Sequence, residues 1–537
     1  MSEANKPIIP YQLWGKGINV NRTYSFISNA GFYALVNRNY YDYYNEVVRY
    51  LAQWLDGYVY DFHSQQNGIL STRIASSIVK GISNNVVGKQ LLFKGIDDNA
   101  RETLEAVKEW TFKSDFQNAV RLLVNYAVGL GTAAFKINST GKELWCEALR
   151  LDQFTFEVDA RGNLNEFTCM IKKYANTSQK SDGKTVDNYY LAEHRFFKDA
   201  ITKKAELVDG KLLTFEFATK IPYVKYTVHK TTGNVRNNID VNMTDSGEIR
   251  WDSLPSNIRK AIKRDFGVIK IDEAQKLPFN EWLGVELYKF GVGDISLPNI
   301  PFGTSILQNI VAYLMLYDLS WSYACRDMYF GKGMILVPKS MQMPGKDKFG
   351  QQPIMRAFDE SMFTEFATTD PDKQKPENIQ FELRGEQWSQ IQDNILKKIA
   401  TTIGMSPRTL ASYLGSDGAQ KTATEIDAEN DATLSFIDFE RNNLGNVLDK
   451  VLEHVLNFLG KSNNVSVQFA TPAIVNMDKI IDRAINLKQA GLIDLKEAIK
   501  MCFPDEDEEK IEERVRTIQE EETARQAQET ELNPFNM

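Results

Sequence analysis

The stretch from Trp388 to Gly460 constrains this chain most, because two strongly periodic helical segments meet there across a short, glycine-containing loop. The first segment repeats apolar residues at steps of three and four up to Gly404, the spacing of one helix face. The second begins with Thr422 and Glu425, a capping-box spacing in which hydroxyl and carboxylate satisfy free backbone N–H groups. It then continues for about ten turns, at about 3.6 residues per turn. A helix this long needs packing partners along its whole length.

Residues 134–288 read instead as strands separated by turns. Segments rich in aromatic and β-branched residues alternate with turn signals at Asp182–Gly183, Asp209–Gly210 and Thr232–Gly233. Residues 251–266 have the pattern of a helical insertion, and helical periods flank the whole region. The chain is too long for one hydrophobic core, and at about 150 residues per domain we expect three or four units. We therefore predict an α+β fold.

Residues 303–329 are predicted to form a long apolar helix. Its part from Ile306 to Cys325 has about the 20 residues that a bilayer span needs. Gln308, Asn309 and Asp318 interrupt that part, and a carboxylate at mid-bilayer costs about 3 kcal/mol on insertion scales. Apolar side chains occur nearly all round the helix, which predicts burial on several sides. A buried helix is favoured, and in a lone subunit much of its apolar surface would be exposed.

The net charge of −8 is concentrated at the end of the sequence. Residues 505–537 contain twelve acidic and four basic residues, a net of −8, so the other residues are together close to neutral. A generic nucleic-acid binder carries a basic excess, and sequence-specific DNA recognition is therefore not expected. The four cysteines are scattered without a C-x-x-C pair, and no secretory signal is recognisable, so we expect folding in a reducing cytosol.

No motif for catalysis stands out in the sequence. There is no P-loop, dinucleotide fingerprint, nucleophile elbow or H-E-x-x-H sequence. Each of the four histidines stands alone in the sequence, and we interpret each as an exposed or core residue: His63, His194, His229 and His454. We therefore expect no catalytic residue, no metal site and no cofactor, and predict that the chain is not an enzyme.

Several short motifs follow one another in a defined order along the chain. The first ends in Gly88-Lys-Gln-Leu-Leu-Phe93, and a small-residue step from helix to strand follows at 127–135. Phe302-Gly-Thr-Ser-Ile306 opens the apolar helix, and Lys421-Thr-Ala-Thr-Glu-Ile426 opens the long helix. A strand at 465–469 and the sequence 490–494 come last. In their order and spacing these motifs resemble bacteriophage portal proteins of the family typical of siphophages of Gram-positive hosts, and the resemblance does not extend to the first 60 residues or to the insertion near 235–280.

The resemblance implies a portal fold with parts in a defined order. These are a wing at 1–302, a first stem helix at 303–329, a clip at 330–385, a second stem helix at 386–404, a tunnel loop at 405–421, a long wing helix at 422–460, and a crown with an acidic tail at 461–537.

The same resemblance implies a homo-oligomeric ring, usually of twelve copies, at one capsid vertex of the virion, assembled in the cytoplasm of the bacterial host. Such a ring nucleates head assembly with capsid and scaffolding proteins and docks the large terminase subunit. It passes double-stranded DNA without sequence specificity and later binds a head–tail adaptor or neck protein. No membrane partner is implied.

The glycine-rich loop is the part that the resemblance places around DNA. Its cations Arg408 and Lys421 would make transient phosphate contacts, with Gln420 beside them, and Gly415 and Gly418 would give the backbone the freedom that the loop needs. Arg408 and Lys421 can equally be read as ordinary surface residues. The acidic tail can be read as a solvated helix, or as like charge that keeps the channel exit from holding DNA.

Two other classes of protein remain as alternatives to a portal at this level. One is an enzyme with a dispersed catalytic site, and the other is a membrane-associated scaffold that uses residues 306–325. Ring formation by the purified chain would favour the portal, turnover by a monomer the enzyme, and dependence on detergent the scaffold.

Overall fold

Among the residues that it describes, the computed structural model combines helices with four sheets of two to six strands. It describes residues 48–56, 71–88, 90–96, 100–139, 143–159, 162–180, 183–208, 211–236, 240–266, 271–291, 302–330, 334–338, 363–366, 377–379, 384–413, 423–470, 477–504, 506 and 508–532. Its helices are α1 Arg49–Asp56, α2 Ile74–Val87, α3 Arg101–Lys113, α4 Phe116–Leu130, α5 Ser256–Phe266, α6 Val311–Phe330, α7 Gly385–Thr402, α8 Pro407–Tyr413, α9 Ala423–Leu459, α10 Met477–Gln489, α11 Leu495–Cys502 and α12 Glu508–Leu532.

The strands group into four separate sheets. They are β1 Leu91–Gly95, β2 Thr132–Ser139, β3 Leu144–Arg150, β4 Phe154–Val158, β5 Leu164–Lys180, β6 Gly183–Val208, β7 Lys211–Arg236, β8 Asp240–Ile249, β9 Ala274–Lys276, β10 Val285–Lys289, β11 Met334–Pro338, β12 Phe363–Phe366, β13 Glu377–Ile379 and β14 Val465–Phe469. Their orders are β1-β14, β10-β2-β3, β12-β11-β13 and β4-β5-β6-β7-β8, with β9 paired to β7. The α+β prediction is confirmed.

The main core lies where α2, α4 and α9 pack around the β10-β2-β3 sheet. The small-residue helix α2 buries Ile74, Ile78 and Ile82, because residues four apart share one helix face. Central strand β2 is buried on both faces over residues 132–137, which explains its run of small and apolar residues. This block holds the long helix α9 against the rest of the chain.

The six-stranded sheet differs from the predicted series of short strands. The breaks between β5 and β6 and between β6 and β7 fall at the turns predicted at Asp182–Gly183 and Asp209–Gly210, and Asp182, Asp209 and Gly210 themselves lie outside the described residues. The turn predicted at Thr232–Gly233 is wrong, because β7 continues through it and only shifts its register against β8 there. A glycine inside a strand pattern commonly marks such a bulge. The predicted helical insertion is confirmed as a 3-10 turn at Trp251–Ser253 followed by α5.

The apolar helix α6 begins at Val311, eight residues later than the pattern predicted. Residues 306–310 form turns instead, in which the Gln308 and Ile310 N–H groups donate to the carbonyls of Ser305 and Leu307. The Gly303 N–H donates to Thr132 Oγ1 at 2.8 Å, and the Ile306 N–H donates to the Val128 carbonyl at 3.1 Å. These local turns and contacts with neighbouring elements take the place of further helical turns.

The segments predicted as irregular or flexible are only partly described. The expected irregular residues 1–36 lie outside the described residues, as does most of 339–376. Between α6 and α7 the structure describes the three short strands of the β12-β11-β13 sheet, in which β11 pairs parallel to β12 and antiparallel to β13. The predicted strand Met334–Pro338 is confirmed.

Candidate functional site

Two motifs that carry the portal resemblance meet in space. The backbones of Gly131 and Gly303 touch so closely that a Cβ atom added to Gly303 would lie 2.2 Å from the Gly131 carbonyl oxygen. The Ser305 hydroxyl donates to the Gly129 carbonyl at 2.6 Å, and the Phe290 N–H donates to the Gly131 carbonyl at 2.9 Å. The end of α4 therefore positions the start of α6.

Asp318 attaches the middle of α6 to the segment before α2. Its carboxylate is 1% exposed and accepts hydrogen bonds from the backbone N–H and from the hydroxyl of Thr72, the former at 3.1 Å. Burial raises the pKa of Asp318 to about 6. Asp318, one of the residues that argued against a membrane span, is thus a buried anchor, in keeping with the predicted buried helix. In the described part of the chain, no helix is both long and apolar enough to cross a bilayer.

A polar cluster around Asp327 joins the C-terminal end of α6 to the N-terminal end of α7. The Arg384 guanidinium donates to both carboxylate oxygens at 2.9 and 3.0 Å, and the Trp388 indole donates to the same carboxylate at 2.7 Å. The Trp388 hydrogen bond, followed by the Arg384 guanidinium, holds the pKa of Asp327 below its usual range. Trp388 also stacks on Tyr323, with ring centroids 6.1 Å apart. The two helices therefore form a paired unit.

The paired helices α6 and α7 leave large apolar side chains uncovered. Five of them are between 36% and 55% exposed: Leu316, Trp321, Tyr323, Met328 and Ile391. Toward the start of α6 the packing is closer, with Leu314 fully enclosed and Tyr317 nearly so. Helix α6 is thus apolar nearly all round but only partly covered, as expected for a lone subunit. We call these five residues the exposed stem face, after the stem helices that the resemblance implies.

Helix α7 ends where the sequence predicted, at Gly404. This residue has a φ of 74°, a conformation that glycine adopts without strain. The Met405 N–H donates to the Ala400 carbonyl at 2.9 Å, and the Gly404 N–H donates to the Thr401 carbonyl at 3.4 Å. These are the two bonds of a Schellman motif, which closes the helix and turns the chain sharply.

The start of the predicted tunnel loop is helical rather than irregular. Ser406 caps α8, because its hydroxyl accepts from the Thr409 N–H at 3.0 Å, and Pro407 takes the first helical position. The Ser406 N–H donates to the Thr433 hydroxyl of α9 at 2.9 Å. Arg408 therefore lies exposed on the first turn of α8, not in a flexible loop.

The other residues proposed for the loop cannot be compared in this way. Gly415, Gly418, Gln420, Lys421 and Thr422 lie outside the described residues. Glu425 lies in α9, which begins at Ala423, but its side chain is outside the described part of the structure. The capping box of Thr422 and Glu425 stays a prediction.

The long helix α9 carries two buried charged residues that sequence patterns did not single out. Glu440 is fully buried and accepts from Tyr288 Oη and from the Gly291 N–H, both at 3.0 Å. Burial raises its pKa to about 7. Arg441 donates to the carbonyls of Asn85 at 2.9 Å and Val86 at 3.0 Å, at the C-terminal end of α2. No sequence signal set these two residues apart, because charged residues occur along the whole helix.

Two of the histidines that the sequence suggested were isolated are joined. The hydroxyl of Thr227 lies 2.8 Å from Nε2 of His194 and 2.9 Å from Nε2 of His229, and His194 Nδ1 lies 2.8 Å from the Thr168 hydroxyl. Burial lowers the pKa of His194 to about 4 and also lowers that of His229. Both histidines are core residues, as predicted. They are not isolated from each other, because β6 and β7 place them side by side.

No group of three or more histidine, cysteine, aspartate or glutamate side chains with the geometry to hold a metal ion occurs among the described residues. Two paired helices that leave large apolar side chains uncovered, one of them anchored to the core through buried Asp318, are features of a structural component of a larger assembly. A family model described as phage portal protein, SPP1 Gp6-like, matches residues 33–528. The chain belongs to this family of phage portal proteins. It is a structural head-to-tail connector of a virion and not an enzyme.

The solved structures that resemble the chain are distant. A chain in the neck of an empty GTA particle has a TM-score of 0.41 at 10% identity, covering 82% of this chain and 92% of that one. Chains from the virion of a native gene transfer agent particle and from its neck have TM-scores of 0.38 and 0.39, each at 10% identity and covering 80% of this chain and 89% of theirs. No curated protein matches the sequence.

Proposed function

We propose that this portal protein forms a ring of twelve copies around an axial channel for double-stranded DNA. The ring would dock the large terminase subunit during packaging and the head–tail adaptor or neck protein afterwards, and would nucleate head assembly with capsid and scaffolding proteins in the host cytoplasm. The wing, stem, clip, tunnel loop and crown would follow the boundaries that the resemblance implies. The membership of the chain in the portal family supports this proposal.

The exposed stem face is the observation that carries the proposal. Five large apolar side chains of α6 and α7 stay partly in water in the single chain. Covering a half-exposed side chain of this size is worth roughly 1 kcal/mol. In a closed ring each subunit would cover this face of its neighbour, so the same contact would repeat at every interface.

The charges of the chain suit a conduit in which DNA slides. Each phosphate that a protein neutralises adds salt-dependent affinity, so a strongly basic channel would hold DNA in place. The sequence outside the acidic tail is close to neutral. Exposed cations are nevertheless available near the end of α7 and the start of α8, namely Lys397, Lys398 and Arg408. We propose that Arg408, with Lys421 and Gln420 of the loop, makes brief phosphate contacts.

Ring formation tests the exposed stem face directly. We expect the purified wild-type chain to form rings in native mass spectrometry and negative-stain images. Trp321→Glu places a charge in the interface and should leave mainly single subunits. Trp145→Glu is the matched control, since Trp145 is similarly exposed but lies on β3. Rings of normal size from the Trp321→Glu variant, or a monomeric wild-type chain, would contradict the proposal.

The loop is tested by deleting residues 415–420. The variant should form normal rings, because the exposed stem face is unchanged, but its heads should package or retain less DNA. Arg408→Gln in an intact loop isolates the charge and should show a weaker defect of the same kind. Heads filled normally with the genome in the deletion variant would refute the role of the loop.

A further inference from the structure

Strand β10 has one edge that no described residue pairs with. It forms the outer strand of the β10-β2-β3 sheet. The Ile137 N–H donates to the Gly284 carbonyl at 2.8 Å, and the Phe290 N–H donates to the Gly131 carbonyl at 2.9 Å. The N–H and carbonyl groups of successive residues point to opposite edges of a strand. In β10 the backbone groups of the even-numbered residues therefore face β2. Leu287 and Lys289 therefore direct their backbone N–H and carbonyl groups outward.

This outer edge faces a cleft of about 700 Å³. The cleft is lined on one side by Val285, Leu287 and Lys289 of β10. On the other side α9 contributes Val447, Lys450 and His454, which share one helix face. The described residues around the β4–β5 turn and the middle of β7 complete the walls, through Asp159, residues 162–165 and Lys220. The cleft thus runs beside a strand edge and has an apolar side.

An aromatic stack forms one wall of the cleft. The rings of Trp282 and His454 lie parallel, with centroids 4.4 Å apart and an interplanar angle of 9°. The Trp282 indole donates to Glu286 at 2.9 Å, which fixes the orientation of the ring. Burial lowers the pKa of His454, so the stack is neutral at neutral pH. This wall suits an apolar side chain of a bound segment.

The charged groups of the cleft are not equally engaged. Of its carboxylates, Asp159 accepts from the Asn163 N–H of its own turn, Glu286 binds Trp282, and Glu281 is exposed at the rim. Lys450 is close enough to Glu286 to favour its ionised form, whereas Lys289 forms no ion pair with any described residue. Lys289 is half-buried, and burial lowers its pKa. A half-buried ammonium without a counter-charge is stabilised when a carboxylate approaches it.

We propose that this cleft binds an extended, acidic segment of a partner protein, which adds to β10 as a further strand. The outward backbone groups of Leu287 and Lys289 would pair with the segment, as in other cases of strand addition. A carboxylate of the segment would meet Lys289 and Lys450, and an apolar side chain would lie against Trp282. The five residues of β10 give room for about five residues of a partner at about 3.4 Å each.

The test measures binding of labelled heptapeptides of alternating valine and aspartate to the purified full-length protein by fluorescence anisotropy. The same peptide with lysine in place of aspartate tests the charge, and two versions with alternate amides N-methylated test the strand pairing. The aspartate peptide should bind at least about tenfold more tightly than the lysine peptide. One N-methylated version should lose binding, and the other should keep it.

Matched variants place the binding at β10. Leu287→Pro removes an outward N–H without removing a bond to β2, and edge strands tolerate proline at such positions. Its affinity for the aspartate peptide should fall about tenfold, whereas Leu287→Val should bind normally. The double variant Lys289→Glu and Lys450→Glu should prefer the lysine peptide. Circular dichroism and ring size should match those of the wild type in every variant.

Three results would overturn the inference. They are equal binding of the aspartate and lysine peptides, unchanged binding to the Leu287→Pro variant, and the absence of saturable binding by the assembled protein. If the peptide binds isolated subunits but not the assembled protein, the cleft is filled by a second copy of the chain, and the partner-protein assignment fails. The proposed DNA channel does not enter these measurements, so the two proposals fail independently.

Discussion

Replacing Glu440 by glutamine should stabilise the protein more at high pH than at low pH. The carboxyl group is fully buried and accepts from Tyr288 and Gly291. Glutamine keeps the acceptor for the Gly291 N–H, and its amide can donate to the Tyr288 hydroxyl, so both contacts persist without a charge. The variant therefore isolates the free energy of ionising a buried carboxyl group.

The size of the effect follows from the pKa of Glu440, which burial raises from 4.5 to about 7. Below pH 4.5 the group is protonated in the folded and unfolded chains, so it contributes nothing. Between pH 4.5 and about 7 only the unfolded chain ionises, and stability falls as pH rises. Above that range the full penalty applies, about 3 kcal/mol at 1.36 kcal/mol per pKa unit. Between pH 5.5 and 8.5, the advantage of the variant should grow by about 2 kcal/mol.

The measurement is urea unfolding followed by tryptophan fluorescence at pH 5.5 and 8.5 for the wild type, Glu440→Gln and Asp438→Asn. Asp438 is the control, because it is an exposed carboxylate on the same helix. The difference in the free energy of unfolding between Glu440→Gln and wild type should widen with pH, while that for Asp438→Asn should stay within about 0.5 kcal/mol. A constant difference for Glu440→Gln, or one that narrows as pH rises, would refute the reasoning.

Three further predictions concern other parts of the core. Burial lowers the pKa of His194 from 6.5 to about 4, so the free energy of unfolding should fall by up to about 3 kcal/mol as pH falls through that interval. Urea unfolding of His194→Gln should lack this loss. Gly303→Ala would force a Cβ atom against backbone and should lower stability by about 4 kcal/mol or more, whereas Gly385→Ala, which meets nothing within 4 Å, should be neutral or slightly stabilising in the same unfolding assay. Ser406→Ala removes the cap of α8 and should speed amide exchange in α8 while costing about 1 kcal/mol; unchanged exchange there would show that the cap is unimportant.

Local patterns predicted the elements whose cause is local. The ends of α7 and α9 coincide with Gly404 and Gly460, because a glycine with positive φ ends a helix within one turn. The strand Val465–Phe469 was also predicted correctly, since it is a short β-rich run next to turn signals.

Elements set by distant contacts were predicted less well. Strand β7 extends through Thr232 and Gly233 because β6 and β8 supply hydrogen bonds on both sides, which overrides the local turn signal. Helix α8 was expected to be loop, because seven residues give too short a period to recognise. Its stability comes from Leu410, fully buried in the core, and from the bond between Ser406 and Thr433.

The sequence by itself determined the order of helices and strands, the uneven distribution of charge, and the family to which the chain belongs. These follow from periods, glycines and motif order, which are read along the chain. Only the tertiary structure decided that Glu440 meets Tyr288, that Asp318 meets Thr72, and that large apolar side chains of the paired α6 and α7 stay uncovered. A helical period shows which side chains share a face, but not what lies opposite that face, and buried pKa values and docking surfaces depend on what lies opposite.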